Sequence, residues 1–214
     1  MSDRVLYSFW RSSAAYRVRI ALNLKGLKYA TKAIDLRSGA QSGVGFKLLN
    51  PQGLVPYLID GEAGLNQSLA IIEWLDETYP EPALLPGNPL ARARVRAAAL
   101  TIACDIHPLN NLRVLKYLKD PLGLDQDTVD TWARHWIEEG FASLEEIAEG
   151  DPQTYLFGNT PTLADVCLVP QMYNARRVQA DVARFPNLQR IDKALMQLPA
   201  FNAARPEAQP DADV

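Results

Sequence analysis

The stretch from Val5 to Leu24 constrains this chain more than any other. Val5, Leu6, Tyr7 and Phe9 read as a short buried strand, and Ala14, Val18, Ala21, Leu22 and Leu24 put apolar side chains on one face at helical spacing. Lys25-Gly26 closes that helix, with a cation in the last turn and a glycine just beyond it. Ser12 and Ser13 therefore fall at a strand-to-helix junction, where unpaired backbone N–H groups and the positive end of the helix dipole converge. Such a junction can bind an anion or favour a thiolate. It is equally a place where one serine serves only as an N-cap. This stretch alone leaves both readings open.

The elements that follow extend the α/β pattern. Tyr29 to Ile34 reads as a second strand, Asp35 to Gly45 as a polar surface loop, and Phe46, Leu48 and Leu49 as a short helix stopped by Asn50-Pro51. Tyr57 to Ile59 and a strand around Ala63 to Leu65 flank Asp60-Gly61, a hairpin signal. Gln67-Ser68 opens a helix that runs through Leu75 and ends near Tyr79-Pro80. Pro82 to Pro89 holds three prolines and a glycine and reads as a linker. Beyond it strand signals nearly vanish, and helical patterns cover 90–118, 126–149, 162–178 and 187–197. The expected organisation is thus an α/β domain over residues 1–82 and an all-helical domain over 88–214. Arg205 to Val214, rich in proline, alanine and aspartate, is expected to lie loosely at the surface.

Composition narrows the function classes. The net charge is −3 with no basic block, which argues against a nucleic-acid partner. Arg92, Arg94 and Arg96 alternate along a helical pattern and read as a solvated face or a subunit contact. The two cysteines, Cys104 and Cys167, lack metal-ligand spacing and read as buried free thiols, which suits a reducing cytoplasm. No signal-peptide core and no membrane-spanning apolar run is present. Two histidines, His107 and His135, are too few for a multi-histidine metal site, so no metal is expected.

Several short motifs carry possible chemistry. Val55-Pro56 precedes a strand, where proline costs no ladder bond. Its peptide bond is an ordinary trans bond or a cis bond, and the cis form would turn the Val55 N–H and C=O outward to pair with a peptide-like ligand. Ser68 either caps its helix or binds a carboxylate there. Thr162 and Asp165 have capping-box spacing, which is folding chemistry; Asp165 is expected to be buried and to accept backbone N–H bonds. Cys104 to Arg113 is polar for the middle of a helix, and Pro108 should kink it. His107 is a donor to a ligand or a locally satisfied histidine, with Asn111 and Arg113 a turn or more beyond. Arg176-Arg177 is a carboxylate clamp or a pair of cations opposing the helix dipole, and Arg11 beside Ser12 is a second candidate clamp.

Taken together, these residues resemble the glutathione transferase superfamily, and within it the zeta class. The matching runs are Arg11-Ser12-Ser13 with Arg17-Val18-Arg19-Ile20-Ala21-Leu22, Asn50-Pro51 with Val55-Pro56, Gln67 through Glu73, and Thr162-Leu163-Ala164-Asp165 through Leu168-Val169-Pro170-Gln171. The resemblance spans nearly the whole chain. It implies a thioredoxin-like N-terminal domain, an all-helical C-terminal domain, a homodimer and glutathione as cofactor. It also implies isomerisation of a maleyl keto-diacid, maleylacetoacetate to fumarylacetoacetate, by addition of a thiolate, bond rotation and expulsion. Maleylpyruvate as substrate, or transfer of glutathione to α-halo acids, are alternatives; a non-catalytic ligand-binding dimer fits less well, because the thiol-activating Ser12 is retained. By the resemblance, Ser12 donates to the glutathione sulfur with Ser13 as the nearby alternate. Gln41, Val55, Pro56, Gln67, Ser68, His107 and Asn111 hold glutathione, and Arg11, Arg177 and Arg113 hold the substrate carboxylates. The helix ending at Arg177 is implied to border the substrate site.

Two departures stand out. Ala14 and Ala15 replace the cysteine and small polar residue that follow the two serines in the class. Asp105, His107 and Asn110-Asn111 look closer to the bacterial maleylpyruvate enzymes, yet Leu112 stands where those would carry an arginine.

Overall fold

The first unit is built around β1 (Val5–Ser8), an inner strand of a four-stranded sheet. The computed structural model describes residues 4–150 and 152–213. A parallel neighbour cannot be reached by a tight turn, so α1 (Ser13–Leu24) carries the chain over to β2 (Ala30–Ala33). A 3₁₀ turn at Ala40–Ser42 and α2 (Val44–Leu49) follow, so the segment expected as bare loop contains a turn of helix. β3 (Tyr57–Asp60) returns antiparallel to β1 and forms a hairpin with β4 (Ala63–Asn66). The sheet order is β2-β1-β3-β4, and α3 (Ser68–Thr78) follows. This is the thioredoxin-like arrangement that the resemblance implied. Leu6, Tyr16, Ile20, Leu22, Leu58, Ile71, Ile72 and Leu75 are buried in this unit. Lys25 does more than close α1. Its ammonium is buried and donates to Asp76 Oδ1 at 2.8 Å and to the Tyr79 and Pro82 carbonyls at 2.7 and 3.0 Å.

The second unit, Leu84–Gln197, is helical. Asn88 caps α4 (Pro89–Leu100) by accepting from the Leu90 and Ala91 N–H groups, each at 3.0 Å. The single helix expected over 90–118 is instead broken. Thr101–Ile106 widens to a π-helix and His107–Asn110 tightens to 3₁₀ before α5 (Leu112–Lys119) starts afresh. The physical reasons are local: Pro108 has no N–H to donate, and the Asn111 side chain caps the new helix by accepting from the Arg113 N–H at 3.2 Å. Cys104 lies in the widened turn and is exposed, not buried as expected; Cys167 is buried. α6 (Gln126–Gly150), α7 (Leu163–Arg177) and α8 (Pro186–Leu195) complete the unit. α7 is buried on every side from Leu163 to Met172, as a central core helix must be. Asp165 is fully buried and accepts from the Leu156 N–H at 3.0 Å, the Thr162 N–H at 2.8 Å and the Thr162 hydroxyl at 2.9 Å. Burial pushes its carboxyl above the usual range, and these donors oppose that shift.

The chain then rejoins the first unit. Leu198–Val214 groups with Met1–Ala83, whereas the sequence reading kept it with the helices. α9 (Pro199–Ala204) packs on α1: the Ala200 carbonyl accepts from Asn23 and the Ala204 carbonyl from Arg19, both at 3.0 Å. Residues expected to lie loosely are anchored, because the Asp211 carboxylate accepts from the Trp10 N–H at 2.9 Å. No helix among the described residues is long and apolar enough to cross a membrane.

Candidate active site

Strand register decides which loops meet in the first unit. Tyr7 pairs with Tyr57, and Tyr57 with Asn66. The end of β1, the start of β3 and the end of β4 therefore lie at one edge of the sheet. Three segments leave from that edge: Phe9 to Ser13, Leu54 to Pro56, and Gln67-Ser68.

At the first segment, the Ser12 N–H donates to the Phe9 carbonyl at 2.9 Å, and the Ser12 oxygen caps α1 by accepting from the Ala15 N–H at 3.2 Å. The capping role is thus real. It uses the hydroxyl as acceptor and leaves its proton to be donated elsewhere. Ser13 is the first residue of α1. Arg11 is exposed, its guanidinium 5.3 Å from the Trp10 ring centre. Beneath the turn lies Arg19, fully buried, donating to the Trp10 carbonyl at 2.9 Å and to Ser8 Oγ at 3.1 Å. Burial pulls its pKa down to about 10, which still leaves it charged at neutral pH.

At the second segment, the Val55-Pro56 bond is cis, as is Glu81-Pro82. No hydrogen bond among the described residues takes up the Val55 backbone N–H or C=O. The loop is shaped by buried Asn50, which donates to the Leu54 carbonyl at 2.7 Å and accepts from the Gln52 N–H at 3.3 Å and from Asn66 Nδ2 at 3.2 Å. Gly53 has φ +62°, and a Cβ there would stand 2.9 Å from the Gln41 carbonyl. Only glycine meets both demands. The Gln41 Oε1 atom is itself buried without a partner among the described residues.

At the third segment the helix begins one residue away from expectation. Gln67 occupies the cap position with no side-chain cap bond, and Ser68 is the first helical residue, so Ser68 is not the N-cap. Gln67 has φ 64°, a conformation that costs a non-glycine residue about 1–3 kcal/mol and persists where its surroundings enforce it. Its amide donates to Gln52 Oε1 at 3.0 Å. Ser68 Oγ is buried and accepts from Arg17 Nη1 at 3.3 Å, which ties α1 to the start of α3.

The second unit gathers a different set. Arg177 donates to Asn174 Oδ1 through Nη2 at 2.7 Å and Nε at 3.2 Å. Asn174 Nδ2 donates to Asn110 Oδ1 at 2.8 Å, and Asn110 Nδ2 to the Ile106 carbonyl at 3.0 Å. The end of α7 is thereby wired to the broken segment that holds His107, whose Nε2 lies 3.4 Å from Asn111 Nδ2. Arg113 is exposed and joins this group through its backbone N–H. Arg176 does not simply point to solvent. It is half-exposed but pairs with buried Asp192 of α8 at 2.5 Å. Sequence reasoning missed Asn174, although its spacing three residues before Arg177 puts the two on one helix face. It also missed that Arg17 and Arg19 are buried struts, for which helical periodicity carries no signal.

Comparison with known proteins places this geometry. The glutathione S-transferase N-terminal domain model matches residues 6–83 and the glutathione S-transferase C-terminal domain model residues 130–206. A probable maleylacetoacetate isomerase of Vibrio cholerae is 54% identical over 214 residues, covering 99% of this chain and 100% of that one. A holo structure of maleyl pyruvate isomerase, described as a bacterial glutathione S-transferase of the zeta class, superposes with a TM-score of 0.96 at 49% identity, over 97% of this chain and 99% of the other. A maleylacetoacetate isomerase from Methylobacterium extorquens AM1, with malonate and glutathione bound, gives a TM-score of 0.95 at 38% identity, over 98% and 100%. The chain belongs to the glutathione transferase family, in its zeta class.

Proposed function

We propose that this chain is a glutathione-dependent cis–trans isomerase that converts maleylacetoacetate to fumarylacetoacetate. The observation that carries the proposal is the single sheet edge at which the Ser12 hydroxyl, the unpaired Val55 backbone and the start of α3 converge. The donor set fits a small peptide with carboxylates at its ends. The Val55 N–H and C=O, set by Pro56, suit the cysteinyl backbone of glutathione. Gln67 and Ser68 suit its γ-glutamyl carboxylate at a helix N-terminus. The orphaned Gln41 Oε1 is an acceptor for its glycyl part, and His107 and Asn111 complete the proposed set.

When bound, glutathione supplies a thiolate that adds reversibly to the cis double bond and leaves it free to rotate. The chain's own residues do the rest. Ser12 donates a hydrogen bond to the sulfur, with Ser13 as alternate, and the α1 N-terminus adds its dipole, so that the anionic sulfur is favoured over the thiol. Arg11, Arg177 and Arg113 grip the two substrate carboxylates and place donors near the oxygen that gains charge. Ala14 supplies no thiol of its own, which leaves the sulfur chemistry to the cofactor. The working form is a homodimer in the cytoplasm; exposed Leu90 and Leu100 on α4 support association.

A second reading, maleylpyruvate as substrate, is favoured by the likeness to the maleyl pyruvate isomerase structure. Turnover of the two keto-diacids, measured side by side with glutathione present, decides between them. Faster turnover of maleylacetoacetate is expected; turnover of neither would refute the proposal.

A further inference from the structure

One half-buried carboxylate in the first unit has no part in the scheme above. Asp211 lies 201 residues from Trp10 in sequence, yet its Oδ2 accepts the Trp10 N–H at 2.9 Å. That N–H belongs to the Phe9–Trp10 peptide, whose carbonyl at the other end accepts the Ser12 N–H, also at 2.9 Å. The three groups form one line: carboxylate, peptide, Ser12. A charged acceptor on the N–H polarises the peptide and strengthens its carbonyl as an acceptor. The next peptide is held by Arg19, which donates to the Trp10 carbonyl at 2.9 Å. An anion and a cation therefore pin two successive peptide planes just before Ser12. Ala212, next to Asp211, packs against the cluster of Phe9, Trp10, Phe46 and Val55. Asp213 pairs with Arg37, but both are half-exposed, and such a pair adds little.

We propose that Asp211 is a positioning residue for thiol activation, acting through the Phe9–Trp10 peptide to set the Ser12 hydroxyl against the sulfur. The inference rests on glutathione binding at this turn, and it goes beyond the residues assigned to hold the cofactor. An oriented hydroxyl is effective only while its backbone stays in place, because small misplacements at such a site are expensive in rate.

The test uses the full chain with Asp211→Ala and Asp211→Asn. The readouts are the thiolate absorbance of bound glutathione against pH, kcat and KM for maleylacetoacetate, and thermal stability. Loss of the anion by itself would lower the thiol pKa, so a rise marks action through the Ser12 turn: Asp211→Ala should raise the thiol pKa by about half a unit to one unit and lower kcat about three- to tenfold, the range one ordinary net hydrogen bond spans. KM for the keto-diacid should not move. Asp211→Asn keeps an acceptor without its charge and should fall between wild type and Asp211→Ala. Asp213→Ala should leave thiol pKa and kcat as they are. The proposal is overturned if Asp211→Ala, or Asp211→Asn should the alanine variant not fold, has the wild-type thiol pKa and kcat, whatever happens to its melting temperature. The thiol titration needs only bound glutathione. A wild type that turns over neither keto-diacid would therefore sink the substrate reading while the titration still decides the role of Asp211.

Discussion

At the start of α1, the Ser12 oxygen accepts one N–H, from Ala15, and its hydroxyl proton has no partner to satisfy inside the cap. At the start of α7, the Asp165 carboxylate is fully buried and is met by three donors, two backbone N–H groups and the Thr162 hydroxyl. Both positions are legible in the sequence as helix caps, and both are caps. They differ in what capping leaves over. Asp165 spends its acceptors on its own fold, whereas Ser12 keeps a donor at a partly exposed turn where two other loops arrive. A cap becomes a candidate for chemistry when it retains an unused polar atom that a ligand can reach.

The sharpest way to break this contrast is to remove each cap and see which property fails. Asp165→Ala strands three buried donors and should destabilise the protein by about 3–5 kcal/mol, read as a lower denaturant midpoint. Glutathione affinity of the molecules that remain folded should be unaltered. A loss below about 1 kcal/mol would mean that the donors find other partners. Ser12→Ala should do the reverse: about 2–4 kcal/mol lost from turnover, the worth of an oriented donor to negative charge, against about 1 kcal/mol of stability for the lost cap. Full activity in Ser12→Ala with activity lost in Ser13→Ala would exchange the roles of the two serines.

The arginines at the end of α7 sharpen the comparison on a smaller scale. Arg177→Lys loses the planar fork held by Asn174 and should raise KM for the keto-diacid about tenfold, with glutathione affinity little changed. Arg176→Lys should leave KM nearly unmoved and cost less than about 1 kcal/mol of stability, because the pair with Asp192 is half-exposed on the arginine side. Opposite results for the two would reassign the carboxylate clamp to Arg176.

Local chemistry made much of this molecule readable in advance. The strand-to-helix junction at Ser12, the Asp60-Gly61 hairpin, the helix opening near Ser68 and the Thr162–Asp165 box all rest on residues within one or two turns of each other. What stayed hidden depends on distant partners. Nothing in the run from 90 to 118 announces a π-helical widening ahead of Pro108, since periodicity of apolar residues barely changes when one extra residue enters a turn. Arg17 and Arg19 look like the polar side of an amphipathic helix, and only the carbonyls and hydroxyls they meet explain their burial. Asp211 looked like part of a polar ending because its partner lies at the other end of the chain. The short local motifs were legible, and the struts that hold them were not.

The central claim is that turnover runs through the thiolate of a bound cofactor held at one sheet edge, and one assay addresses it directly. Maleylacetoacetate is incubated with the enzyme and either glutathione or S-methylglutathione, which keeps the peptide contacts and lacks the free thiol. Conversion to fumarylacetoacetate is expected with glutathione and none with the methylated peptide, which should instead inhibit in competition with glutathione. Equal conversion with both, or conversion without either, would contradict it.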